Sequence, residues 1–148
     1  MDKALEAKIR NILEQAKDMT IATIREDGFP QATTVTFVND GLTLYFACEA
    51  DAQKAANIAR NDKVSVAVNT DYDDWSDIRG LSMGALAERV TDAAEAQKVE
   101  GLMVAKYPQV ADFPPEETDA FTLIRVMPKV ISVLDYSKGF GHAELVTL

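Results

Sequence analysis

Between residues 19 and 70 the apolar positions repeatedly fall into a period of two, and this alternation restricts the fold more than any other feature of the chain. The segments MTIATIRED (19–27), QATTVTFVND (31–40) and LTLYFAC (42–48) are rich in Thr, Val, Ile, Phe and Tyr, and they are separated by Asp27-Gly28 and Asn39-Asp40-Gly41. Successive side chains of an extended strand point to opposite faces, and a Gly after Asp or Asn supplies the backbone freedom of a tight hairpin. Two hairpins in succession, and so a three-stranded antiparallel meander, are expected. A fourth strand follows at KVSVAVNT (63–70), with Val64, Val66 and Val68 on one face. A fifth, RGLSMGALAERVTD (79–92), contains Gly80 and Gly84, where bulges or close backbone approach are common. The stretch AFTLIRVMPKVISVLDY (120–136) reads as a strand pair or as one long strand bent at Pro128.

Helical spacing appears in three places. Leu5, Ile9, Ile12, Leu13 and Ala16 form one face of a helix over 4–17, with Asp2 as its cap. A short run over 51–60 has Asp51 as a plausible N-cap, and a third helix over 93–107 carries Ala96, Val99, Met103 and Val104 before Pro108, Pro114 and Pro115 end it. The tail SKGFGHAELVTL is too polar at its start to continue the preceding strand. With no internal repeat or linker, 1–148 reads as one domain. The fold class is mainly β, a small antiparallel β-barrel with peripheral α-helices, and neither GxGxxG nor GxxxxGK[ST] is present.

Composition narrows the chemistry. A net charge of -9 disfavours nucleic acid, whose non-specific affinity comes from clustered Lys and Arg. No stretch is apolar enough to span a membrane or to act as a secretory signal, and one cysteine, Cys48, cannot form an internal disulfide, which suits a cytoplasmic compartment. With His142 as the one histidine, neither a structural zinc site nor a preorganised hydrolytic triad is expected. Cys48 shares a strand face with Leu42, Leu44 and Phe46 and reads as a buried small hydrophobe. Asp71, Asp73, Asp74 and Asp77 lack the glycine of a calcium loop and read as a solvated turn.

Two sets of residues suit an anionic, hydrogen-bonding ligand. Asp51-Ala52-Gln53-Lys54 opens a helix whose free N–H groups and first-turn Lys are what a phosphate requires. Thr33, Thr34 and Thr36 offer hydroxyls along a strand, with Arg25 across the hairpin and Arg79 at the start of the fifth strand. Each set also has an ordinary reading, as a capped helix and an exposed strand face.

In order and spacing, the segment from MTIATIRED through KAANIAR and KVSVAVN, followed by RGLSMGALAERVTD and VMPKVISVLDY, resembles the pyridoxamine 5′-phosphate oxidase-like FMN-binding split β-barrel family over about residues 5–136. It is most similar to the short, general-stress-protein-type members. The resemblance implies a flavoprotein homodimer with FMN at the subunit interface and redox chemistry on a small-molecule substrate. It implies that Thr33, Thr34, Val35 and Thr36 line the flavin ring, that Lys54 meets the phosphate with Asn57 beside it, and that Arg79 and Gly80 approach the same ligand. Glu49 and Asp51 depart from the family pattern by placing acidic residues next to the phosphate position. The longer substrate-binding extension of true pyridoxamine phosphate oxidases has no match in these residues, so that reaction is not expected. The same barrel also implies alternatives: haem held by His142 in the Gly139-Phe140-Gly141-His142 tail, a deazaflavin, or a non-enzymatic barrel with no cofactor.

Overall fold

In a computed structural model of the chain, which describes residues 1–113 and 120–148, the period-two segments form one eight-stranded antiparallel sheet. The strands are β1 (Met19–Ile24), β2 (Pro30–Val35), β3 (Val38–Asp40), β4 (Thr43–Glu49), β5 (Lys63–Asn69), β6 (Arg79–Arg89), β7 (Phe121–Asp135) and β8 (Ala143–Thr147). The helices are α1 (Lys3–Gln15), α2 (Gln53–Arg60) and α3 (Ala93–Lys106).

The expected three-stranded meander does not form. Both hairpins exist, β1 with β2 and β3 with β4, but the strand order is β2-β1-β5-β6-β7-β4-β3, so they lie at opposite ends of the sheet. The break falls at Thr36-Phe37, where alternation fails: Phe37 and Val38 are adjacent and both buried. The Phe37 N–H donates to the Tyr107 hydroxyl at 3.2 Å instead of to a strand. Because only Thr36 and Phe37 separate β2 from β3, the sheet must curl to bring its two end strands together. The result is a split β-barrel.

Inside the curl, Ile21, Leu44, Phe46, Val66, Val68, Met83, Ile124 and Ile131 form a continuous core, and α1 buries Ile9, Ile12 and Leu13 against it. Asp2 caps α1 as its position predicts, its carboxylate accepting from the Ala4 N–H at 3.0 Å. Asp51 does not cap α2. The helix starts after Ala52, and among the described residues no side chain caps its first N–H groups.

Both glycines of β6 act as their strand context suggests. The register with β7 shifts between Gly84 and Ala85, and a Cβ at Gly80 would lie 2.7 Å from Asn69 Oδ1 and 2.9 Å from the Val68 carbonyl. The last long stretch is one strand: Ala85 faces Pro128 and Gly84 faces Val130, so Lys129 is the extra residue. β7 lends its first half to β4 and its second half to β8. β8 itself is not foreseen from the tail's composition; it forms because the edge of β7 beyond the bulge is free to pair.

Candidate functional site

The loop after β4 delivers the chain to α2, which packs against the β1–β2 hairpin. Asn57 holds this junction. Fully buried, it donates from Nδ2 to Thr23 Oγ1 at 2.9 Å and to Gln31 Oε1 at 3.4 Å, and its Oδ1 accepts from Gln53 at 2.8 Å. Its amide is thus spent on aligning hairpin and helix.

Along β2 the threonines do not form one row. Gln31, Thr33 and Val35 turn toward the side that α2 and the core cover, while Thr34 and Thr36 are exposed on the other. The Thr33 Oγ1 is buried and has no hydrogen-bond partner among the described residues. A buried hydroxyl left unpaired costs about 1–3 kcal/mol, so this atom suits a ligand that would satisfy it. β2 also ends the sheet, leaving one backbone edge without a strand partner.

Lys54, in the first turn of α2, makes no ion pair among the described residues. A second cation joins it. Arg89, at the end of β6, donates to the Ala50 carbonyl at 3.0 Å and likewise has no carboxylate partner there. Lys54 and Arg89 both favour the Cys48 thiolate, yet burial dominates and pushes that thiol up. Cys48 packs in the core with Leu44 and Phe46. Nothing in the local sequence around Arg89 points to this site; 35 residues from Lys54, it arrives by strand pairing alone.

Other candidates lie elsewhere. Arg79 and Gly80 start β6, and the ten residues to Arg89 span about 30 Å of extended chain, so within this chain they lie at the far end of the strand from Arg89. Arg79 Nε is 3.8 Å from Asp135 Oδ1, a buried carboxylate that also accepts from Lys8 at 2.7 Å and Ser137 Oγ at 2.5 Å. Although burial opposes it, these donors, Lys8 foremost, hold Asp135 well below the usual carboxylate range. Arg25 is clasped by Asp27 at 2.9 Å, and both border a small polar hollow with Gln53. His142 lies in the turn before β8, its Nε2 3.2 Å from Glu144 Oε1. Asp74 caps the Trp75–Asp77 turn by accepting from the Ser76 N–H and hydroxyl.

The opposite side of β4 and β7 carries a groove of about 750 Å³. Its floor is formed by the paired residues Ala47 and Leu123, and Glu49 and Phe121; Thr36 and α3 border it. α3 is fixed there by Glu95, which accepts from Tyr45 Oη at 2.7 Å and from Arg125 at 2.6 Å. Burial and then the Glu95 carboxylate push the Tyr45 phenol up to about 12.

The model of the pyridoxamine 5′-phosphate oxidase family matches residues 5–135. The chain belongs to this family. Its curated relative, general stress protein 26 of Bacillus subtilis (strain 168), is 29% identical over 73 residues, 49% of this chain and 51% of that one. The match thus spans about half the length of that relative. A solved structure from Listeria innocua is 29% identical, covers 88% of this chain and 98% of that chain, and superposes with a TM-score of 0.71. A haem-binding protein from Mycobacterium smegmatis has the same fold at 17% identity and a TM-score of 0.81, over 99% of this chain and 59% of that one. Among the described residues of this family member, no helix is long and apolar enough to cross a membrane, and no three His, Cys, Asp or Glu side chains group as metal ligands.

Proposed function

We propose that this protein is an FMN-binding oxidoreductase of the pyridoxamine 5′-phosphate oxidase family, acting on a small molecule as a homodimer. One observation carries the reading: the N-terminus of α2, where Lys54 and Arg89 have no ion pair among the described residues, adjoins an edge strand whose buried Thr33 hydroxyl has no partner among them either. The phosphate would be held by Lys54, Arg89 and the N–H groups of Gln53 and Lys54, with the α2 dipole adding to the attraction. Asp51 and Glu49 are exposed and form no ion pair with either cation. The β2 edge from Thr33 to Thr36 would orient the ring. Bound flavin supplies hydride or electron transfer, so the chain's residues bind and orient and no general acid or base is required of them.

A dimer is supported by the outer side of the sheet. Across it run Thr34, Thr20, Ala67, Ser82, Ser132 and Leu145 in register, uncharged and mostly small, with Leu145 72% exposed. Helices α1 and α2 pack on the opposite, core-forming side. A partner packed there would bring a second copy of Arg79 and Gly80 into reach of sites that one chain does not connect. That is the arrangement in which those two residues serve the ligand.

The test is a titration of the purified protein with FMN and, separately, haem, followed by absorbance. Saturation near one FMN per chain, weakened by Lys54→Ala, is the expected result. A haem Soret band lost in His142→Ala, without flavin binding, would replace this reading with the haem one. The exposed rings of Trp75 and Phe140, close to the His142 turn, favour that second reading, since they offer an apolar surface to a flat macrocycle. Binding of a deazaflavin alone, or of no cofactor, would overturn both.

A further inference from the structure

The groove under α3 has a chemistry opposite to that of the α2 terminus. Val99 and Met103 of α3, with Phe113, Phe121 and Leu123, make it apolar. Among the described lining residues the charged groups are two carboxylates, Glu49 on β4 and Glu100 on α3, and there is no cation. The cations of α3 and β7 are committed elsewhere: Arg125 donates to Glu88 and Glu95 at 2.6 Å each, Lys98 pairs with Asp40, and Lys106 sits 3.9 Å above the Phe37 ring, while Lys54 and Arg89, by the Cys48–Ala50 stretch, are those assigned to the phosphate.

We propose that this groove is the substrate subsite and that it takes an apolar organic cation, such as an aromatic amine, while rejecting phosphorylated or carboxylated molecules. This deepens the flavin reading and rests on it for the subsite's redox role. Three observations carry it. A volume of about 750 Å³ is that of a small-molecule site. Thr36 belongs both to the strand segment assigned to the flavin ring and to the groove wall, so a molecule in the groove lies against the ring end of that segment. The two carboxylates face an apolar cavity with no cation among its described lining residues, in a chain of net charge -9. An anion entering meets like charge and no donor, whereas an ammonium meets two acceptors and its apolar body meets the phenylalanines.

The experiment uses two probes with one ring system, 1-naphthylmethylamine, protonated at neutral pH, and 1-naphthoate, titrated calorimetrically into FMN-saturated protein. The amine is expected to bind at least about tenfold more tightly, a difference of ~1.4 kcal/mol. Glu100→Gln, a surface change of nearly equal shape on α3, is expected to reduce the preference and leave FMN binding intact, and adding Glu49→Gln is expected to abolish the preference. Ala96→Trp, which fills the groove from its α3 wall, is expected to abolish amine binding. Equal affinities, a preference for naphthoate, no binding of either probe, or amine binding unaffected by Ala96→Trp would overturn the proposal. If FMN fails to bind but the amine preference and its loss in the variants persist, the groove assignment stands as a binding site and the flavin reading falls.

Discussion

The two ends of β6 place basic residues in opposite circumstances. At the first end Arg79 meets Asp135, whose buried carboxylate also holds Lys8 and Ser137, so both cations share an anionic partner and α1 is tied to the barrel. At the other, Arg89 and Lys54 have no carboxylate partner among the described residues, and the N-cap residue of the helix beside them, Ala52, offers no side-chain cap. A closed network of this kind stabilises a fold, whereas solvated cations without a carboxylate partner contribute little to stability and remain open to an anion. One end holds the structure together and the other is free to bind.

The largest effect that would break this contrast is expected at Asp135. Asp135→Asn should destabilise the protein by about 2–4 kcal/mol in urea unfolding, because it leaves Lys8 charged against a neutral amide. FMN affinity, measured well below the unfolding transition, should change little. The same carboxylate sets an acid limit. Its pKa in the folded protein lies below the ordinary 3.8, so its contribution is fully present above that pH and fades as pH falls below it toward the folded value. The acid-side slope of stability should therefore be shallower in Asp135→Asn; an identical slope would show that another group governs it.

At the open end the order reverses. Lys54→Ala and Arg89→Ala should each weaken FMN binding by about 10- to 100-fold, the size of a charge-assisted hydrogen bond, with stability changed by less than about 0.5 kcal/mol. Flavin fluorescence on titration reads the first and thermal unfolding the second. A loss of stability without a loss of affinity would make these cations structural and erase the contrast. The smallest and sharpest effect is at Thr33, where replacement by Val removes the orphaned hydroxyl. Without ligand the variant should match or exceed the parent by up to about 1 kcal/mol, and FMN binding should weaken several-fold. Lower stability together with unchanged affinity would mean that the hydroxyl is satisfied within the protein.

Much of this was legible in the residue order, for identifiable reasons. The Val64, Val66 and Val68 alternation, the Asp27-Gly28 turn, the bulge at Gly84 and the crowding at Gly80 are local, depending on residues within a few positions. Lys54 was readable as a helix-start cation because its neighbours announce the helix. The sequence misled at Asp51, where a capping residue type stands one position too early, and at β3, where the single pair Phe37-Val38 breaks the period. Arg89 carried no local signal.

What the sequence by itself determined is which way each side chain faces and where the chain turns, since period and turn chemistry act between near neighbours. Which strand lies beside which was decided by the tertiary structure. Alternation is the same whether β2 pairs with β3 or stands at the far edge, and only burying Phe37, Ile124 and Ile131 in one core selects the curled sheet. The meeting of Lys54 with Arg89, the pairing of β8 with β7 and the groove under α3 all follow from that closure. They join residues far apart in the chain, and burial of the shared core is what brings those residues together.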